Sequence, residues 1–129
     1  MKSLTKKILI VGGTGFLGHH IVKRFVKKKY SVTSLSLNSP RKTHFFKNVK
    51  YLKCDLNNFN NLNLLLKNKN FDYVVNAGGY VDHSNDKKVF LTHFKGTENL
   101  CKIFLKKKIK RFVQLGSSVE YGFSKCPHK

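Results

Sequence analysis

The sequence predicts an α/β fold: a doubly wound parallel sheet of strand order 3-2-1-4-5 held between two layers of helices. Three observations predict it. In the stretch KILIVGGTGFLG, residues 7–18, an unbroken apolar run meets glycines at positions 12, 15 and 18. Short apolar runs then alternate with amphipathic segments along all 129 residues. Several of these runs end in small or polar residues. Strand–helix alternation with right-handed crossovers gives a parallel sheet covered on both faces. The strand order places the switch point beside the first strand, and the C-terminal ends of the strands along one rim.

The first element is Ile8 to Val11, continuously apolar as a strand buried on both faces should be. Gly12 permits a sharp turn off that strand, because it lacks the Cβ that forbids the necessary backbone angles. A glycine at 15 lets a pyrophosphate approach the backbone, and Gly18 lets the new helix pack closely. The helix start offers free N–H groups and the positive end of its dipole to phosphates. Phe16, Leu17, Ile21, Val22, Phe25 and Val26 repeat at helical spacing. The adjacent His19 and His20 point apart on a helix, so they make a poor metal pair.

Residues 30–37 read as the second strand, closed by Asn38-Ser39-Pro40. Its end carries Ser36 at the position where Asp or Glu would hold the ribose hydroxyls of NAD. Arg41 and Lys42 follow and could hold a 2′-phosphate, so NAD and NADP both remain open. Residues 49–54 form a short third strand, closed by Asp55 and Leu56. Asp55 sits where ligands of open sheets bind, as an adenine contact or a helix N-cap. Leu62, Leu64, Leu65 and Leu66 suggest a short helix. Residues 71–76 are the fourth strand, followed by Ala77-Gly78-Gly79, small enough for a ligand to lie against the backbone.

From Asp86 to Lys108, Val89, Phe90, Phe94, Leu100, Cys101, Phe104 and Leu105 form one stripe with His93 and Thr97, which predicts a continuous helix. His93 on that stripe reads as a core or boundary residue rather than a catalytic one. Residues 111–115 are the fifth strand, which delivers Gly116 and Ser117 to the rim of the glycine turn.

Composition bounds the rest. The formal net charge is +20, with 26 Lys and Arg against 6 Asp and Glu. Arginine is rare, and the lysines fall on solvated helix faces and helix ends, so the charge reads as compositional bias and not as specific nucleic-acid recognition. Cys54, Cys101 and Cys126 are too widely spaced for a zinc or redox motif and read as reduced thiols. No apolar run reaches the length of a membrane span, and no signal-peptide core precedes the first strand. A cytoplasmic location without membrane partners is therefore expected.

With these residues in place, the chain resembles the N-terminal part of the NAD-dependent epimerase/dehydratase family, the extended short-chain dehydrogenases that act on nucleotide sugars. The matching pieces are Val11-Gly-Gly-Thr-Gly-Phe-Leu-Gly18, Cys54-Asp55-Leu56, Val75-Asn76-Ala77-Gly78, Gly96-Thr97-Glu98-Asn99-Leu100, and Arg111-Phe112-Val113 through Ser117-Ser118 to Tyr121-Gly122. The resemblance implies a Rossmann-type domain over residues 1–129 that binds NAD or NADP. It implies that Gly12, Gly15, Phe16, Leu17 and Gly18 wrap the pyrophosphate. Asp55 and Leu56 would border the adenine, and Asn76, Ala77 and Gly78 would line the cofactor. Ser117 matches the family's active-site hydroxyl.

Val11 departs from the family's frequent Thr, and His93 from its frequent Asn. Tyr121 and Lys125 fit a Tyr-x-x-x-Lys pair literally. However, Tyr121 comes too soon after Ser117, and Pro127 leaves little room for the required helix. The working pair is expected beyond Lys129. The expectation is thus a cofactor-binding portion, inactive alone, of a longer protein with a nucleotide-sugar substrate and a possible homodimeric state.

Overall fold

The computed structural model describes residues 4–79, 84–117 and 122. Tyr121, Lys125, Pro127 and Cys126 lie outside the described residues. Five strands form one parallel sheet: β1 (Lys7–Val11), β2 (Ser31–Ser36), β3 (Lys50–Lys53), β4 (Tyr73–Asn76) and β5 (Arg111–Gln114). Their order is β3-β2-β1-β4-β5, as the sequence predicts. β1 is central, pairing Ile10 with Ser34 on one side and with Val75 on the other.

Alternation along β1 builds two cores. Ile8 and Ile10 face α1 (Phe16–Lys27) and meet Val22, Val32 and Val75, with Ile21, Phe25 and Val26 packed around them. Leu9 and Val11 face the opposite layer, α2 (Phe59–Leu66) and α4 (Gly96–Phe104), and meet Leu62, Leu66, Leu100, Ile103 and Phe104. α2 starts at Asn58, whose side chain accepts the N–H of Asn61. The cap is therefore Asn58 and not Asp55. Asp55 instead turns the chain by accepting the Asn57 N–H at 2.9 Å. Of the four α2 leucines, Leu62 and Leu66 are buried, while Leu64 points to solvent.

Two expected apolar stripes need correction. Phe16 and Leu17 do not join the α1 core but are 86% and 53% exposed, because the first turn of the helix rises past the sheet edge. The expected single helix over 86–108 is divided into α3 (Asp86–Phe90), a π-helical turn (Leu91–Lys95) and α4. A π turn rotates the helical segment before it relative to the segment after it. Consequently Phe90 and Phe94 stack on one another at 5.1 Å in solvent, whereas Leu100 and Phe104 are buried. Leu105, just past α4, is exposed as well. His93 is also exposed rather than in the core. Among the described residues, no helix is long and apolar enough to cross a membrane.

Candidate functional site

The C-terminal ends of β1 to β4 surround a cleft of about 570 Å³. Its floor is Val11, Gly12, Thr14 and Gly15. One wall is Leu35 to Asn38 together with Cys54 to Asn57, and the other is Ala77 to Gly79. Lys88, Leu91 and Thr92 border it from above.

The glycine turn is fixed by its own backbone. Gly12 has φ +76°, its N–H donates to the Leu35 carbonyl at 2.7 Å, and its carbonyl accepts the Gly15 N–H at 3.0 Å. A Cβ on Gly12 would lie 2.7 Å from the Gly78 nitrogen. Gly18 is buried beneath the turn, where a Cβ would overlap the Gly12 carbonyl oxygen. Its role is therefore the close approach of helix to turn; it does not line the cleft. Gly15 differs. It is exposed, its φ of −75° suits any residue, and among the described residues a Cβ there would meet only the Gly12 oxygen at 3.3 Å. What a side chain at 15 would fill is the mouth of the cleft.

α1 begins at Gly15 with no side-chain cap and no acidic residue in its first turn. The leading N–H groups of a helix have no intrahelical acceptor. Here they carry the positive end of the dipole toward the cleft. Thr14 and Ser36 complete the floor: the Thr14 N–H donates to Ser36 Oγ at 3.2 Å, and Thr14 Oγ1 donates to the Asn38 carbonyl at 3.3 Å. Ser36 lines the cleft, but its hydroxyl is already an acceptor within the fold.

The expected site residues therefore separate. Gly12, Gly15, Ser36, Asp55, Leu56, Ala77 and Gly78 share the cleft. Asn76 does not line it. Its side chain is 1% exposed and points inward. There its Nδ2 donates to Gln114 Oε1 at 2.8 Å and Thr97 Oγ1 at 3.2 Å, while its Oδ1 accepts the Gly78 N–H at 3.1 Å. Asn76 thus shapes the wall by holding the Ala77–Gly78 turn. Asn76→Ala strips partners from three polar groups and should cost about 2 kcal/mol, read as a lower urea midpoint. Ser117, three residues past β5, is exposed and outside the cleft lining.

Residues 96–99 acquire roles that spacing alone does not disclose. Gly96 makes room for Leu56, whose Cβ lies 3.0 Å from where a Gly96 Cβ would be. Asn99, buried, donates to the Leu56 carbonyl at 2.8 Å. Thr97 accepts from Asn76. The run Gly-Thr-Glu-Asn was visible in the sequence, but its meaning lies in contacts more than 20 residues away.

His19, in the second turn of α1, stacks on His44 at 3.9 Å with rings 16° apart, and on Phe46 behind it. Burial, then the neighbouring His44, His20 and Lys23, hold its pKa below the ordinary 6.5. Protonation therefore favours the unfolded chain. The stabilisation is complete above about pH 6.5 and is lost as pH falls through the lower folded value. Urea midpoints should drop between neutral pH and pH 5, and His19→Phe should drop less.

Among the described residues, no group of His, Cys, Asp and Glu could hold a metal ion. Cys54 and Cys101 are free thiols.

Comparison with known proteins agrees with this geometry. The family model described as NAD dependent epimerase/dehydratase family matches residues 8–128. The bifunctional UDP-glucose 4-epimerase and UDP-xylose 4-epimerase 1 of Pisum sativum is 27% identical over 95% of this chain and 39% of its own length. A dTDP-6-deoxy-L-talose 4-dehydrogenase (NAD(P)(+)) of Kitasatospora kifunensis is 29% identical over 92% of this chain and 37% of its own. An epimerase structure from Methanothermobacter thermautotrophicus superposes with TM-score 0.85 at 24% identity, covering 97% of this chain and 40% of that one. The Bordetella bronchiseptica enzyme WbmH in complex with NAD+ superposes with TM-score 0.83 at 22% identity, covering 96% of this chain and 43% of that one. The chain thus spans about two fifths of the length of its relatives. By fold, by the glycine turn and by a family match over nearly its whole length, the chain belongs to the NAD-dependent epimerase/dehydratase family.

Proposed function

We propose that this chain is the coenzyme-binding portion, residues 1–129, of a longer enzyme that epimerises or dehydrates a nucleotide sugar, with NAD or NADP as its coenzyme. The observation that carries the reading is the uncapped start of α1, open to the cleft at Gly15, a glycine that packing does not require. Such a site takes a pyrophosphate on bare main-chain amides, here those at Phe16 and Leu17. Asp55 and Leu56 border the adenosine half, and Ala77 and Gly78 offer a flat backbone to the rest. Ser36 offers the ribose only a hydroxyl. Ser117 supplies a hydroxyl to the sugar. The coenzyme, when bound, accepts and returns hydride at a sugar carbon.

Titration with NAD(H) and NADP(H) tests the reading, on the wild-type chain and on Gly15→Val. Binding to the wild type that is lost in the variant supports it. No binding, or equal binding to both, defeats it.

One observation favours a second reading, a non-catalytic NADP sensor or scaffold: no carboxylate stands at the end of β2, where Ser36 is committed to Thr14. A Tyr-x-x-x-Lys pair downstream of Lys129 in the full-length protein decides for the enzyme. A full-length protein that lacks the pair decides for the sensor.

A further inference from the structure

The parallel sheet gathers cations on the face opposite the cleft. Each strand is entered past at least two lysines: Lys6 and Lys7 before and at β1, Lys28 and Lys29 before β2, Lys47 and Lys50 at β3, Lys67 and Lys69 before β4, and Lys108 and Lys110 before β5. All strands being parallel, these starts share one edge. Among the described residues, the acid at this edge is Asp72. Its carboxylate is already held by the Lys7 N–H at 2.8 Å and by Lys110 Nζ at 3.0 Å.

The helix dipole accounts for only part of this. It favours cations at the ends of α1, α2 and α4, but strand starts carry almost no dipole. Lys6, Lys7, Lys47 and Lys50 therefore have no such reason to be there, while Lys110 is placed by its ion pair with Asp72.

We infer that this edge is a binding surface for the phosphate backbone of a nucleic acid, read without regard to sequence. Five strands at about 4.8 Å spacing give a row of cations roughly 20 Å long. That length lets several successive phosphates of one strand meet the row at once. A lipid surface asks for a broad apolar face, whereas among the described residues Leu4, Phe45, Leu64 and Leu105 are exposed singly near these lysines.

The test is fluorescence anisotropy of a labelled oligouridylate with the 129-residue chain, at about 0.1 M salt. Two triple variants of equal charge are compared, both checked for folding by circular dichroism. Lys6→Gln/Lys47→Gln/Lys50→Gln removes exposed cations from the edge. Lys23→Gln/Lys53→Gln/Lys87→Gln removes exposed cations elsewhere. At a slope of about −0.7 per single-strand contact, the edge triple should lose roughly a hundredfold in affinity and about 2 units of salt slope. The matched triple and Gly15→Val should bind as wild type does. Equal losses in the two triples would reduce the effect to composition. Loss in Gly15→Val would move it into the cleft. No binding, or binding to phosphatidylserine vesicles but not to RNA at the same salt, would overturn the inference.

Discussion

Gly18→Ala should destabilise the chain by roughly 3 kcal/mol or more, at the upper end of what overpacking costs. The added carbon would overlap the Gly12 carbonyl oxygen and sit 2.6 Å from the Gly12 carbonyl carbon. These are backbone atoms, fixed in turn by the Gly12–Leu35 and Gly15–Gly12 hydrogen bonds, so they cannot step aside as a side-chain tip can. Relief requires α1 to lift from the sheet, which would loosen Val22 from Ile8 and Ile10. A domain of this size has only about 5–15 kcal/mol in hand. The measurement is the urea midpoint by circular dichroism, and an unchanged midpoint would show that α1 is not seated on the turn.

Gly15→Val should do the opposite, leaving the fold and removing the ligand. Gly15 is the N-cap of α1, and valine is a poor cap, so a cost of about 1 kcal/mol is expected. Beyond the Gly12 oxygen at 3.3 Å, no atom of the described residues outside its chain neighbours and its own helix backbone lies within 4 Å of the new Cβ. Its branches therefore stand in the cleft above the first N–H groups of α1. Dinucleotide affinity should fall at least a hundredfold, about 2.7 kcal/mol. Calorimetric titration beside an unfolding curve separates the two glycines. Position 18 reads in stability, position 15 in binding.

The sheet was legible because its signals are local. Ile8 to Val11, ending at a glycine turn, reads as a strand buried on both faces, and alternation of elements predicts the order β3-β2-β1-β4-β5. What local pattern could not show was which way a side chain faces near an element's end. Phe16 and Leu17 fit the apolar spacing of α1 but clear the sheet edge. Phe90 and Phe94 fit a stripe that the π turn rotates into solvent. Asn76 was visible as a polar residue ending β4. Its inward set of partners, Gln114 and Thr97, lies 38 and 21 residues away, beyond the reach of any spacing rule. Asp55 showed the converse. Its place at a strand end put it at the cleft, while the capping role fell to Asn58, three residues on.

Residues 96–99 hold both sides of the groove at once. Asn99 grips Leu56 on one side, and Thr97 meets Asn76 behind the other. The two jaws are thus hung from a single hinge pin at the start of α4, directly after the π turn. A slip of that pin by one residue would carry both jaws together, so the two walls are tied through the helix that starts just past Leu91 and Thr92 at the border of the cleft.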